Sequence, residues 1–87
     1  MPKGYVKSKT RIELTVGDSV RLAREFAELT QIALSLKAKI PQSTISGIES
    51  GRISLGVERA KKLALALSVH PAVLLFPELR SQLKQLA

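Results

Sequence analysis

Residues that start or stop helices punctuate this chain at short intervals: Thr15, Thr30, Pro41, Gly51, Ser54, Pro71 and Pro77. Between them the apolar residues keep spacings of three and four, the period of a helix with one buried face. A chain cut in this way predicts an all-α fold, a compact bundle of five to six short helices around one core. At 87 residues there is length for one such domain and no more.

The pattern predicts helices over 17–28, over 31–38, from Gln42 to a stop at Gly51, over 55–68, from Pro71 to about Phe76, and a last one opened by Pro77 and Glu78. Thr15 and Asp18 have capping-box spacing, Thr30 and Ser54 suit N-caps, and Pro41 suits the start of a helix. The inward residues should be Val20, Ala23, Phe26 and Ala27, then Leu34, Ile45 and Ile48, then Val57, Ala60, Leu63, Ala64 and Leu67. Leu79, Leu83 and Leu86, with Leu74 and Leu75, form a candidate dimer surface. His70, just before a proline, reads as a cap or a surface residue.

The N-terminus is different. Residues 1–11 carry Lys3, Lys7, Lys9 and Arg11 without apolar periodicity, a basic arm. Arg11 to Val16 then alternates strictly, so Ile12, Leu14 and Val16 would share one face of a short strand. A helical domain offers that strand no sheet, which predicts pairing across a dimer axis or with a partner protein. The chain therefore divides into 1–16, arm and strand, and 17–87, the helical domain.

Composition removes several functions. There is no cysteine and one histidine, His70, so thiolate or histidine metal sites, disulfides and nucleophile–base pairs have no material, and neither an enzyme nor a cofactor is expected. Three aromatic residues, Tyr5, Phe26 and Phe76, are too few for a surface that stacks unpaired bases. No apolar run approaches the ~20 residues of a membrane span, and no signal-like stretch opens the chain, so a cytoplasmic protein without membrane contact is expected. Fourteen Lys and Arg against seven Asp and Glu give a formal charge of +7, which predicts a polyanionic partner.

The informative stretch runs from Leu29 to Gly51: two short helices meeting at a tight turn. The second opens Gln42-Ser43-Thr44-Ile45-Ser46-Gly47-Ile48. Gln can pair two-fold with adenine, and Ser or Thr can meet either base edge or a thymine methyl, while Ile45 and Ile48 pin the opposite face to the core. The same polar cluster could serve as simple helix capping, and the Lys61-Lys62 pair further on could be a solvated face.

The chain resembles the Cro/phage-repressor (XRE-like) helix-turn-helix family from about Val20 to Leu75. The resemblance rests on Val20 with Arg24, on Leu29-Thr30-Gln31 with Leu34, on Gln42 to Ser46 with Ile48-Glu49-Ser50-Gly51, and on Ala60 with Leu63-Ala64 and Ala66-Leu67. It implies that Gln31 holds a DNA phosphate at a helix N-terminus and that Gln42, Ser43 and Thr44 read bases, with Ser46 and Gly47 next along the groove. It further implies that Arg52, joined by Ser54, contacts the DNA backbone, and that Arg24 and Glu49 form a partly buried structural ion pair. Lys7 and Lys9 of the arm are assigned to DNA contact because basic arms follow the minor groove. The sequence departs from the family at Lys39, where glycine is usual, at Ser35, where alanine is usual, and at Ile32 and Ala33, where charge is usual.

Two functions fit. One is a repressor bound as a homodimer to an inverted repeat in double-stranded DNA, at the nucleoid. The other is the antitoxin of a toxin–antitoxin pair, binding its operator and a cognate toxin; the small basic domain with an extra N-terminal strand resembles HigA-like antitoxins.

Overall fold

A computed structural model describes residues 14–79. Helix α1 spans Val16–Phe26 and opens on the expected capping box. The Thr15 hydroxyl accepts from the Asp18 N–H at 3.0 Å, and the Asp18 carboxylate accepts from the Thr15 N–H at 3.1 Å. Then come α2 (Gln31–Ala38), α3 (Gln42–Ser50), α4 (Val57–Leu67) and α5 (Pro71–Leu75), and a 3₁₀ turn, Pro77–Leu79. Thr30 caps α2 through the Ala33 N–H at 3.0 Å, and the His70 ring caps α5 through the Ala72 N–H at 3.0 Å.

Helix α1 packs on α3 and α5, α2 packs on α3 and α4, and α4 packs on α5. The core between them is aliphatic: Val20, Leu34, Ile45, Leu63 and Leu74 are fully buried, with Ile48, Ala60 and Ala64 beside them. Helix α3 is thus gripped from two sides by α1 and α2, which leaves one face free.

Three helices end in the same way. Glu28, Lys39 and Ser68 follow α1, α2 and α4 with φ of 61°, 60° and 60°. The next residue's N–H then reaches back to a carbonyl of the last turn: Leu29 to Arg24 at 3.1 Å, Ile40 to Ser35 at 3.2 Å, Val69 to Ala64 at 3.0 Å. Leu29, Ile40 and Val69 all pack in or against the core. That burial holds a left-handed residue that costs roughly 1 kcal/mol when it carries a Cβ. Lys39 therefore adopts the left-handed conformation itself, and the turn keeps its shape without glycine.

Several sequence expectations need correction. Helix α1 stops at Phe26 because the chain turns left-handed at Glu28, so Phe26 is 91% exposed and Ala27 is exposed as well. Helix α4 begins after Gly56, whose φ is 72°, and Ser54 makes no cap. Leu55 in the preceding loop takes the core place, and Val57, first in the helix, faces water. Leu74 belongs to the core and is closed to a dimer partner. Val16 is helical, because Thr15 caps the helix there, and no strand occurs among the described residues. Ile12 of the expected strand, Lys7 and Lys9 of the arm, and Leu83 and Leu86 of the last stripe lie outside the described residues.

Candidate nucleic-acid interface

Helix α3 has an unusual start. Pro41 occupies its N-cap with φ −56° and ψ 142° and has no side chain to offer the first turn, and no acid stands there. The Pro41 carbonyl accepts from Thr44 at 3.0 Å and Ile45 at 3.1 Å. Among the described residues no acceptor meets the N–H groups of Gln42 and Ser43, which lie at the positive end of the helix and suit an anion.

Burial follows the helical period. Ile45, Gly47, Ile48 and Glu49 are buried, whereas Gln42, Ser43 and Ser50 are exposed and Ser46 is half-buried between them. Gln42, Ser43 and Ser46 therefore share one outward stripe. Thr44, half-buried, stands off that stripe toward the other side. Gly47 does not join them. It is buried under Ile53, whose Cδ1 would lie 2.5 Å from a Cβ at that position. Its carbonyl accepts from the Ile53 N–H at 3.0 Å and the Ser50 hydroxyl at 3.1 Å.

Beneath the stripe runs a chain of hydrogen bonds. Arg24 of α1 meets Glu49 of α3 in a two-pronged ion pair, Nε to Oε2 at 2.7 Å and Nη2 to Oε1 at 3.0 Å. Its Nη1 donates to the Leu29 carbonyl at 2.9 Å. The bond to Glu49 makes the Arg24 guanidinium hold its proton even more firmly than usual. Its side chain is 11% exposed and that of Glu49 5%, so water screens the pair little. Gln31, first residue of α2, donates from Nε2 to Glu49 Oε1 at 3.0 Å, and its own Oε1 accepts from Gln42 Nε2 at 2.8 Å.

The direction of this relay is fixed by chemistry. An ionised carboxylate only accepts, so Gln31 must present its NH₂ to Glu49. Its carbonyl oxygen is then turned to Gln42, which must donate. Gln42 is left with a carbonyl oxygen and a second amide hydrogen facing outward. Gln31, expected at a phosphate, is thus also the link between the buried ion pair and the outward stripe.

Cations flank the stripe. Arg52 and Ser54 are exposed in the loop after α3, and Lys39 is exposed in the turn before it. Arg59 on α4 folds back so that Nη1 donates to the Ser54 carbonyl at 3.0 Å, which adds a charge to that loop. Sequence reasoning passed over Arg59, and only its place in the first turn of α4 after Ser54 could have signalled it. Among the described residues no group of His, Cys, Asp and Glu could hold a metal, and no helix is long and apolar enough to cross a membrane.

Residues 20–74 match the family described as helix-turn-helix. Comparison with curated proteins gave no match.

Proposed function

From the membership of this chain in the Cro/phage-repressor (XRE-like) helix-turn-helix family, whose members are DNA-binding transcriptional regulators, we propose a repressor that binds an inverted-repeat operator as a homodimer. The observation that carries the proposal is the relay from Glu49 through Gln31 to Gln42. It leaves Gln42 offering one acceptor and one donor, the complement of adenine N6–H and N7 in the major groove. An amide already oriented loses less freedom on binding than a loose one.

In this reading Gln42, Ser43 and Ser46 meet base edges, with Thr44 at the margin of the contact. Gln31 and the free N–H groups at the start of α3 meet phosphate. Arg52, Ser54 and Arg59 contact the backbone on one side of α3, Lys39 on the other, and Lys7 and Lys9 extend the contact along the minor groove. One short helix reads too few base pairs to find a site in a genome, so a dimer with half-sites about 34 Å apart is expected. A protein acting on DNA in this way is expected in the cytoplasm, at the nucleoid.

A second reading, the antitoxin, is favoured by one observation. Ile32 and Leu36 are 64% and 76% exposed one turn apart on α2, and Ile32 is where the family usually carries charge. Ile32→Glu with Leu36→Glu should then break a complex with the product of the neighbouring gene and leave operator binding intact.

The main test is selection of a duplex from a random-sequence pool. The wild-type chain should enrich an inverted repeat, and Gln42→Ala should cost about 1–3 kcal/mol on it and relax preference at one base pair. Equal losses on enriched and scrambled duplexes would remove α3 as the reader.

A further inference from the structure

Gly17 takes no part in the interface described above, yet it lies where that interface is aimed. It is buried in the first turn of α1, and a Cβ there would stand 2.5 Å from the Ile48 carbonyl oxygen and 2.6 Å from that of Glu49. Both neighbours are backbone atoms, so no side chain can swing aside to make room. The N-terminal turn of α1 therefore rests on the C-terminal turn of α3, backbone against backbone. The contact joins the positive end of one helix to the negative end of the other, which favours close approach.

Gly17 and Arg24 are two helical turns apart and share one face of α1. Arg24 grips the carboxylate of Glu49, and Gly17 abuts its carbonyl. Helix α1 thus fixes α3 twice at one end, while the stripe of Gln42, Ser43 and Ser46 lies toward the other end. We infer that Gly17 is a positioning residue for specificity: by carrying no side chain it sets how closely α3 lies on α1, and so the angle at which the stripe is presented.

The inference rests on the DNA-binding reading above and goes beyond it. A methyl group at position 17 can enter only if α3 moves off α1. Hydrogen bonds to base edges weaken within a few tenths of an ångström, whereas long Lys and Arg side chains follow a displaced phosphate. The loss should fall on specific binding and spare non-specific binding.

The experiment compares Gly17→Ala with the wild type on two probes, the duplex the wild type enriches from a random pool and a scrambled duplex of the same composition. It is run below the unfolding temperature, with helical circular dichroism recorded on the same samples. The same substitution is made in a Ser68→Gly background, which relieves the left-handed residue after α4, away from the stripe. The expected result is a folded variant that loses roughly ten-fold or more on the enriched duplex and about two-fold or less on the scrambled one. Equal losses on both probes, no loss on either, or failure to fold in both backgrounds would overturn the inference, since the contact would then serve the fold alone. A wild-type chain that enriches no duplex overturns the DNA-binding reading first, and this inference with it.

Discussion

Helices α3 and α4 share one core but are held in different ways. Helix α4 is fixed by bulk: Ala60, Leu63, Ala64, Ala66 and Leu67 are buried, and burial of aliphatic surface has no preferred direction. Helix α3 buries only Ile45 and Ile48 as large apolar side chains. The rest of its anchorage is directional: the Arg24–Glu49 pair, the link through Gln31, and the backbone contact at Gly17. Apolar packing holds a helix in place, whereas charge-assisted hydrogen bonds also fix its rotation. A helix that must present one stripe at one angle needs the second kind, and a helix that only fills a core does not.

The sharpest way to break this comparison is to damage each helix by its own mode. Leu63→Ala should cost about 4 kcal/mol, the upper part of the range for a leucine with no exposed surface. Measured by urea denaturation, that loss should come with an unchanged ratio of specific to non-specific DNA affinity while the protein is folded. Arg24→Ala should cost about 3 kcal/mol, because Glu49 is left charged and buried without its partner. Here the ratio should fall too, since Glu49 also orients Gln31. If both variants leave the ratio unchanged, direction is not what the ion pair contributes.

The same contrast explains what could be read from the sequence. Apolar spacing located the five α-helices among the described residues. Caps were legible where Thr15, Thr30, Gly51 and His70 act through local bonds that sequence neighbours satisfy, but not at α4, where the Ser54 cap does not form. The Arg24–Glu49 pair was legible only through family resemblance, since its partners are far apart in the chain. The packing of Gly17 and Gly47 was not legible, because a glycine in a helix leaves no trace of what its missing Cβ would strike. Phe26 and Val57 were misjudged for a related reason. The spacing of apolar residues gives a helix's face, but the turns at Glu28 and Gly56 decide whether its ends still lie over the core.

A gentler comparison uses the two left-handed residues that close α2 and α4. Lys39→Gly and Ser68→Gly each remove a Cβ from a φ of 60°, and each should raise stability by up to about 1 kcal/mol. Thermal unfolding should show the two gains as similar. Only Lys39 stands beside the stripe, so only its loss should lower affinity on every duplex and reduce the salt slope by about one. Equal salt slopes for the two variants would place Lys39 off the DNA.

The smallest effect concerns the support beneath α3. Asp18 accepts a hydrogen bond from the Thr15 N–H, interacts with the Thr15 hydroxyl and faces Arg21 at 3.3 Å, which together hold its carboxyl below the usual aspartate range. A group whose folded pKa is depressed contributes its stabilisation in full above its unfolded pKa, about pH 4, and loses it as pH falls through the lower folded value. Asp18 is half-buried at the rim of the domain, so the contribution is small and screened by salt. Asp18→Asn removes the charge and keeps an acceptor for the Thr15 N–H. The wild type should therefore be slightly the more stable of the two at pH 7, and the gap should close as pH falls below 4. Because the box opens α1 next to Gly17, hydrogen exchange should show the first turn of α1 and the last turn of α3 loosening together on acidification, ahead of α4. A gap that persists at low pH would assign Asp18 no electrostatic role, and loosening of α4 at the same pH would erase the distinction between the two helices.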